Sequence, residues 1–323
     1  MTDHFKAFSK IGQFRNTVKE VREYCAYYNT PLPTITFEGT VKLHGTNAAV
    51  GITKDGSLFC QSRSRIITPE DDNFGFANFV KHNEGYFLNL LGYICAKAEV
   101  ESCIVYGEWC GANIQKGVAL SDLDKMFVAF YAEGYDNEVS IPLDIQYVDF
   151  DHRYGVYSVY DFPTYSHSVD FSNPERSVNM LASITEEVER ECPVGKHFNV
   201  SGVGEGVVWR GTLGGKSLIF KVKGEKHSVS KVKKLVTVDP EVVDSINKFV
   251  DYAVTDNRLE QGLQEIGLDQ KTIGKFIGWV SKDIHKEESD VLESSNLTMK
   301  QVGGKIADKA RNFYLGKLNS FTK

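Results

Sequence analysis

The sequence predicts an α+β protein in two domains, a strand-rich one over residues 1–235 and a small all-α one over residues 236–323. From about residue 34 to residue 235, runs of Val, Ile, Phe and Tyr are broken by Gly, Asn and Asp, as in strands joined by turns. Two stretches within this region have helical apolar spacing. After Asp239 helical spacing alone remains, and 323 residues are long for a single core.

The clearest predicted strand covers residues 35–44. Its odd positions are apolar (Ile35, Phe37, Val41 and Leu43), and its even positions from 38 onward are polar (Glu38, Thr40, Lys42 and His44). Lys42 and His44 therefore point to the same side of the strand. Gly45 follows, where the backbone can turn back or approach a ligand closely. Asn47 adds an amide that can contact a phosphate or a hydroxyl group.

Helices are predicted in two places within the strand-rich region and in three places beyond it. Residues 72–98 and 176–191 have one apolar face each, which is typical of helices that cover a sheet. Three apolar sets follow in the C-terminal region: Val243, Ile246, Phe249 and Val250; Ile273, Phe276, Ile277 and Val280; and Val302, Ile306, Ala310, Phe313 and Tyr314.

The charge balance argues against a uniformly basic nucleic-acid-binding protein. The chain has 37 basic and 43 acidic residues, with a formal net charge of −6. One stretch, residues 221–234, is nevertheless basic, with six lysines and a histidine against a single glutamate. Such a run is either a solvated surface or a contact for a phosphate backbone, in which case binding would weaken with added salt.

Cysteine usage and hydropathy exclude other classes of protein. The six cysteines include no Cys-x-x-Cys pair, so we expect reduced core thiols rather than a zinc site or a disulfide framework. No apolar run approaches the roughly 18 residues of a membrane helix. The first residues lack the apolar core of a secretion signal. We therefore expect a cytoplasmic protein without membrane contact.

Six short motifs resemble the nucleotidyl-transfer motifs of polynucleotide ligases and capping enzymes. They are Lys42-Leu43-His44-Gly45-Thr46-Asn47, Gln61-Ser62-Arg63-Ser64, Tyr106-Gly107-Glu108-Trp109, Phe127-Val128-Ala129-Phe130, Glu205-Gly206-Val207-Val208 and Phe220-Lys221-Val222-Lys223. The first, with His44 and Asn47, is similar to the phage RNA ligase 2 family, which includes the trypanosome RNA-editing ligases. DNA ligases and capping enzymes usually have aspartate at the place of His44.

This resemblance covers most of residues 34–228 and continues more faintly into the C-terminal segment. It implies a nucleotidyltransferase (adenylation) domain with ATP-grasp-like antiparallel sheets and helices. It also implies a monomeric enzyme, in the host cytoplasm if a phage encodes it.

The resemblance implies that Lys42 attacks the α-phosphate of ATP. The attacking amine must be unprotonated, whereas a free lysine has a pKa of about 10.4, which nearby cations and desolvation lower. Lys221 and Lys223 stand two apart on one predicted strand, so they project to the same face and can supply a positive field. Either could also be plain surface. The resemblance implies that both contact the α-phosphate.

Two carboxylates are implied to bind the nucleotide and its metal ion. Glu108 would contact the ribose hydroxyls, and Glu205 would help to hold Mg²⁺ or Mn²⁺. Magnesium suits this chemistry because it keeps several waters and is held by few carboxylates and by phosphate oxygens. Each residue also fits an ordinary carboxylate at a strand end.

The remaining site residues each have a competing interpretation. Arg63 is implied to contact the nucleotide and the RNA ends, although Arg65 fits the same pattern with a small shift. Phe130 is implied to stack on adenine, with Phe127 as its competitor and a place in the core as the ordinary fate of either ring. His44 also fits a buried structural histidine.

The function implied is that of an ATP-dependent RNA ligase that joins 5′-phosphate and 3′-hydroxyl RNA ends at nicks in duplexes. AMP would pass from ATP to the lysine, then to the RNA 5′-phosphate, and leave when the 3′-hydroxyl attacks. The alternatives are a single-strand RNA ligase, a DNA ligase, a capping guanylyltransferase or a non-catalytic RNA-binding module. The helical C-terminal region favours the RNA ligase, because capping enzymes and DNA ligases of this superfamily carry an oligonucleotide-binding β-barrel there.

Overall fold

A computed structural model describes residues 5–137, 139–224, 226–227, 246–269, 271–295 and 297–321. The strands are β1 (Gly12–Gln13), β2 (Thr34–Lys42), β3 (Thr46–Ile52), β4 (Leu58–Ser62), β5 (Ile66–Ile67), β6 (Ser102–Cys110), β7 (Met126–Asp136), β8 (Val139–Leu143), β9 (Val156–Ser158), β10 (Thr164–Asp170), β11 (Gly206–Leu213) and β12 (Lys216–Lys223).

The α-helices are α1 (Phe14–Tyr28), α2 (Phe76–His82), α3 (Glu84–Ala98), α4 (Glu175–Arg190), α5 (Pro193–His197), α6 (Ile246–Ala253), α7 (Asp256–Ile266), α8 (Ile273–Glu287), α9 (Ser289–Ser294) and α10 (Met299–Phe321). Mainly antiparallel sheets precede a helical C-terminal region, so the predicted α+β class is confirmed. No helix in the described ranges is long and apolar enough to cross a bilayer.

The helix predicted over residues 72–98 is interrupted at Asn83, which separates α2 from α3. The Asn83 side chain donates to the carbonyl oxygen of Phe79 at 3.0 Å and so competes with the helical backbone for that acceptor. The three apolar sets of the C-terminal region fall on α6, α8 and α10, except Val243, which lies outside the described residues.

The first sheet has the strand order β1-β12-β11-β2-β10. One face is apolar: the ring of Phe220 lies 5.1 Å from that of Phe37 and 5.0 Å from that of Phe14 on α1. Because side chains alternate along a strand, Lys42 and Lys221 lie on the opposite, polar face. Strand β2 ends at Lys42 rather than at residue 44, so His44 belongs to the connection that leads into β3.

The second sheet has the order β5-β4-β3-β6-β7-β8, with β9 paired to β7. One face packs on α2 and α3 and forms a core whose buried members include Val50, Val105, Phe127, Phe87 and Leu91. The other face carries a smaller cluster around Ala49, Ile104 and Tyr106, which Phe8 and Phe130 join. This second face is less fully covered and carries the polar residues described below.

The chain divides into two compact units, Met1–Phe171 with Ile184–Val222, and Ser172–Ser183 with Lys223–Lys323. The domain boundary that we predict near residue 236 lies outside the described residues. The helices of the second unit enclose a core that includes Phe249, Phe276 and Tyr314.

The six cysteines are free, and five of them are buried. Burial raises the pKa of the Cys60 thiol to about 12. Cys95 is the half-buried one, and a hydrogen bond from Cys103 holds its pKa below the usual range.

Candidate active site

Lys42, His44 and Glu205 meet at one carboxylate oxygen. Glu205 directly precedes β11, and the next residue, Gly206, lies opposite Lys42 in the sheet. Its Oε2 lies 2.7 Å from Nζ of Lys42 and 3.2 Å from Nδ1 of His44. The Glu205 side chain is 2% exposed, whereas that of Lys42 is 20% exposed. A buried acceptor therefore holds an amine that solvent still reaches.

Two hydrogen bonds from opposite sides hold the backbone of Gly45. Its N–H donates to Oε1 of Glu108 at 2.9 Å, and its carbonyl oxygen accepts from Nε2 of Gln115 at 3.3 Å. A Cβ atom at this position would lie 2.3 Å from the carbonyl oxygen of Trp109. Glycine is therefore required here by close packing against strand β6, and the loop that carries His44 is tied to that strand.

Asn47 and Glu108 lie directly opposite each other on β3 and β6, so their side chains share one face of the second sheet. Burial by the surrounding protein raises the pKa of Glu108, and the charge of Glu205 adds to this, while Lys42 and the Gly45 N–H oppose it. Asn47 Oδ1 is buried and has no hydrogen-bond partner in the described part of the chain. Such an acceptor calls for a donor from a bound molecule.

The two candidate aromatic residues, Phe127 and Phe130, lie on strand β7 but on opposite faces of the second sheet. Phe127 is fully buried in the core beneath α2 and α3, where its ring packs against Gly107. Phe130 lies at a β-bulge: Tyr106 pairs with Tyr131 and Gly107 with Ala129, so Phe130 has no partner on β6. Its half-exposed ring joins the polar-face cluster, edge-on to Phe8 at 5.1 Å.

Arg210 is a site residue that the sequence reasoning missed. It projects from the polar face of the first sheet, and its guanidinium carbon lies 5.9 Å from the centre of the Phe130 ring. The polar faces of the two sheets therefore meet at these side chains. Arg210 Nε and Nη1 are buried without a hydrogen-bond partner among the described residues. Burial lowers the pKa of this guanidinium, whereas Tyr160 and Glu38 act to raise it.

The predicted arginines have different surroundings. Arg65 Nη1 donates to Oδ2 of Asp71 at 2.7 Å and to the carbonyl oxygen of the same residue at 3.0 Å, so it stabilises a loop. Arg63, two residues earlier, is also exposed. The assignment of a ligand contact to Arg63 rather than Arg65 stays a prediction.

Lys221 and Lys223 occupy alternate, half-buried positions at the end of β12, as predicted from their spacing. Lys221 lies opposite Gln13 of β1. Of the remaining basic stretch, Lys226 and His227 are described, whereas Lys231, Lys233 and Lys234 lie outside the described residues.

A divalent metal ion would find suitable donors at this site. Glu205, Glu108 and the Oδ1 atom of Asn47 are oxygen ligands, which Mg²⁺ and Mn²⁺ prefer. No group of three or more His, Cys, Asp and Glu side chains able to hold a metal occurs in the described ranges. These oxygen donors would suit an ion that is also coordinated by bound phosphate and water.

Comparisons with known proteins bear on this geometry. The profile of the RNA ligase family matches residues 35–223, more than half of the chain. A search of curated proteins finds no match. Among solved structures, a Naegleria gruberi RNA ligase with pyrophosphate is 20% identical with a TM-score of 0.45, and the alignment covers 68% of this chain and 56% of that one. A variant of that enzyme with ATP and Mn is 19% identical with a TM-score of 0.44, covering 68% and 57%. The chain thus spans a little over half the length of these proteins.

Proposed function

Because the chain belongs to the RNA ligase family, we propose that it joins RNA 5′-phosphate and 3′-hydroxyl ends through an adenylate on Lys42. One observation supports this most directly: the Lys42 amine lies 2.7 Å from the buried carboxylate of Glu205 and remains partly accessible. A cation presented at a strand end beside buried carboxylates suits a lysine that is converted to a nucleophile once a nucleotide is bound.

In the first step the Lys42 ammonium gives one proton to solvent, the Nζ lone pair attacks the α-phosphorus of ATP, and Nζ gives up a second proton as the phosphoamide forms. A P–N bond forms while the bond to the β-phosphate oxygen breaks, and pyrophosphate leaves with that electron pair. Lys221 and Lys223 provide positive charge for the phosphates at this stage. The ammonium form that pairs with Glu205 has no lone pair, so attack requires that Nζ first lose a proton.

A divalent metal ion, when bound, neutralises charge on the phosphates. Glu205 would hold it, together with phosphate oxygens and water. The same carboxylate is the present partner of Lys42. Glu205 would therefore serve two cations, the Lys42 ammonium in the free protein and the metal ion when one is bound.

The nucleoside half of ATP is proposed to lie between the two sheets. Phe130 offers a ring face for adenine, and the unpartnered Arg210 donors lie next to that ring. Glu108 would accept from the ribose hydroxyls, and the orphaned Asn47 Oδ1 would accept from a hydroxyl or a metal-bound water. Each bound group would satisfy a protein atom that now lacks a partner or carries a buried charge.

In the second step the lysyl-AMP transfers its adenylyl group to an RNA 5′-phosphate, and the P–N bond breaks as lysine is released. In the third, a 3′-hydroxyl attacks that 5′-phosphate, a phosphodiester forms and AMP leaves. Arg63 is exposed and is proposed to contact the RNA ends. His44 and the Asn47 amide support the likeness to the phage RNA ligase 2 group, and with it a preference for nicks in duplexes.

The test uses the full chain with α-labelled ATP and, separately, α-labelled GTP, each with Mg²⁺ or Mn²⁺. We expect covalent label from ATP only, on Lys42, followed by sealing of nicked RNA duplexes in preference to single strands. Absence of covalent label with either nucleotide and either metal would refute the proposed chemistry. Label that forms without any sealing would instead assign the protein to another class of nucleotidyltransferase.

A further inference from the structure

A loop outside the recognised motifs contacts the turn at Gly45, which follows Lys42. Residues 111–118 follow strand β6 directly after Glu108, Trp109 and Cys110. The loop is anchored at both ends: the Ala112 N–H donates to the carbonyl oxygen of Leu123 at 2.8 Å, and the Ala119 N–H to that of Val203 at 2.9 Å.

The backbone of this loop holds an uncommon conformation. Asn113 has a φ of +63°, in the left-handed region that costs a non-glycine residue free energy. Ile114 is buried in the core of the second sheet, which leaves the next side chain, Gln115, directed away from that core. The fold thus constrains the path of Gln115 from both sides.

Gln115 Nε2 donates to the carbonyl oxygen of Gly45 at 3.3 Å, and Glu108 accepts from the N–H of the same residue at 2.9 Å. The two hydrogen bonds hold both peptide groups that flank the Gly45 Cα. That glycine lies three residues after Lys42, with only Leu43 and His44 between them. A rotation of these peptides would change the path of the turn that follows Lys42 and carries His44.

We infer that Gln115 is a positioning residue for the lysine adenylation that we propose above. Its hydrogen bond goes to the backbone of Gly45 rather than to the side chain of Lys42. Its amide N–H is a neutral donor, which suits a carbonyl acceptor beside two carboxylates, because an acidic side chain at this place would add a third negative charge. Fixing the Gly45 carbonyl keeps Lys42 in line for attack before the nucleotide arrives.

The expected consequence falls on the chemical step. Loss of one neutral hydrogen bond, with the small displacement that follows, should slow single-turnover adenylation on the order of tenfold or more. The apparent affinity for ATP should change by less than about threefold, since Gln115 makes no contact with the proposed nucleotide site. A merely structural residue would lower the thermal midpoint and the active fraction without this split between rate and affinity.

The test compares Gln115→Met, Gln115→Glu and a control, Gln146→Met, in the full chain with α-labelled ATP. Gln146 is exposed in the loop between β8 and β9. Gln115→Met should be slow, with near-normal ATP affinity and thermal midpoint, and the control should match wild type. The carboxylate of Gln115→Glu cannot donate at neutral pH, but its protonated form can, so its rate relative to wild type should rise as pH falls toward about 4.3.

Three results keep this inference separate from the proposed function on which it rests. If wild type forms no lysyl-AMP, the proposed function fails and the role of Gln115 falls with it. If wild type is labelled and Gln115→Met is labelled equally fast, the positioning role alone is wrong. A rate ratio for Gln115→Glu that does not change with pH would also refute it, even where Gln115→Met folds poorly.

Discussion

Nζ of Lys42 lies 2.7 Å from Oε2 of Glu205, whose side chain is almost completely buried. The two residues are 163 positions apart in the chain. Their contact joins the end of β2 to the start of β11, and His44 shares the same oxygen. In the proposed cycle, this ion pair is the state in which Nζ has yet to lose a proton.

Lys42→Ala should abolish covalent labelling by α-labelled ATP, because no other amine would occupy this position. The label in wild type should be labile in acid and stable in alkali, as for a phosphoamide, and peptide mapping should place it on Lys42. Lys54→Ala, at an exposed turn between β3 and β4, is the control and should label normally. Label on any other lysine would contradict the assignment.

Lys221→Ala and Lys223→Ala should each reduce adenylation on the order of a hundredfold or more, if loss of an oxyanion-type contact is a guide. Both side chains are half-buried, so the free energy of unfolding of each variant is measured as well, and a loss of up to about 1 kcal/mol would still leave the protein folded. Lys216→Ala tests the same strand at its far end, where the lysine is exposed and pairs with Glu20 at 2.5 Å. Adenylation at the wild-type rate in both site variants would make these lysines ordinary surface.

Glu108 should make stability depend on pH. Its folded-state pKa is raised, chiefly by burial, above the ordinary value of a glutamate. The folded protein therefore binds a proton more tightly than the unfolded chain, so the contribution of Glu108 is fully present below the unfolded pKa and is lost as pH rises through the folded one. Glu108→Gln should remove this fall. Denaturant unfolding of both proteins from about pH 4 upward measures it, and parallel pH profiles would be inconsistent with the raised pKa.

A truncation that ends at Leu235 tests whether the two predicted domains have separate roles. All the motif residues remain in it, so lysyl-AMP should still form, while sealing of nicked RNA should fail for lack of the helical region. The thermal midpoint must be compared as well, since Ser172–Ser183 belongs to the same compact unit as the removed residues. A folded truncation that seals as well as the full chain would refute the division.

Arg258 should be a strong determinant of stability in the second unit. Its fully buried guanidinium lies 2.9 Å from Asp283 and 3.0 Å from Glu288, which is also fully buried. Arg258→Ala would leave the Glu288 charge buried and unpaired, which typically costs about 3–5 kcal/mol. Arg311→Ala, which breaks an exposed pair with Asp308, should cost less than about 1 kcal/mol. Chemical denaturation followed by helical circular dichroism distinguishes the two; equal losses would contradict the buried-triad account.

Alternation and helical spacing predicted much of the fold. The odd positions of residues 35–43 that we predict to be apolar are buried, because a period of two leaves no other arrangement for a strand with one covered face. Helices α1, α5, α7 and α9 were not predicted. The last three are short or charged and have few apolar residues to reveal a period, whereas the buried positions Phe14, Val18, Val21 and Cys25 of α1 do fit one. The break at Asn83 was missed for another reason: it arises from one side-chain hydrogen bond.

The candidate site was predictable only as far as its motifs could be recognised. Lys42 and His44 stand together in sequence, but nothing in their spacing predicts that Glu205 shares an oxygen with both. Arg210 and Gln115 have no motif of their own. Arg210 alternates with Val208 and Gly206 on β11, which is a usable signal once Lys42 is placed opposite Gly206. The functional roles of these residues remain predictions.

Because of the bulge in strand β7, Phe130 is an extra residue in the pairing of β7 with β6. Val128 pairs with Glu108 and Tyr131 with Tyr106, and Phe130 adds a second ring to the face that Tyr131 already occupies. Deleting Phe130 would join Ala129 to Tyr131 and restore regular pairing, with every later side chain still on its present face. Such a ring can be inserted or deleted without changing the face on which the later side chains lie. It can therefore vary between related sequences with little effect on the pairing of the sheet. In the proposed nucleotide site, the ring that stacks on adenine can therefore change independently of the sheet that supports it.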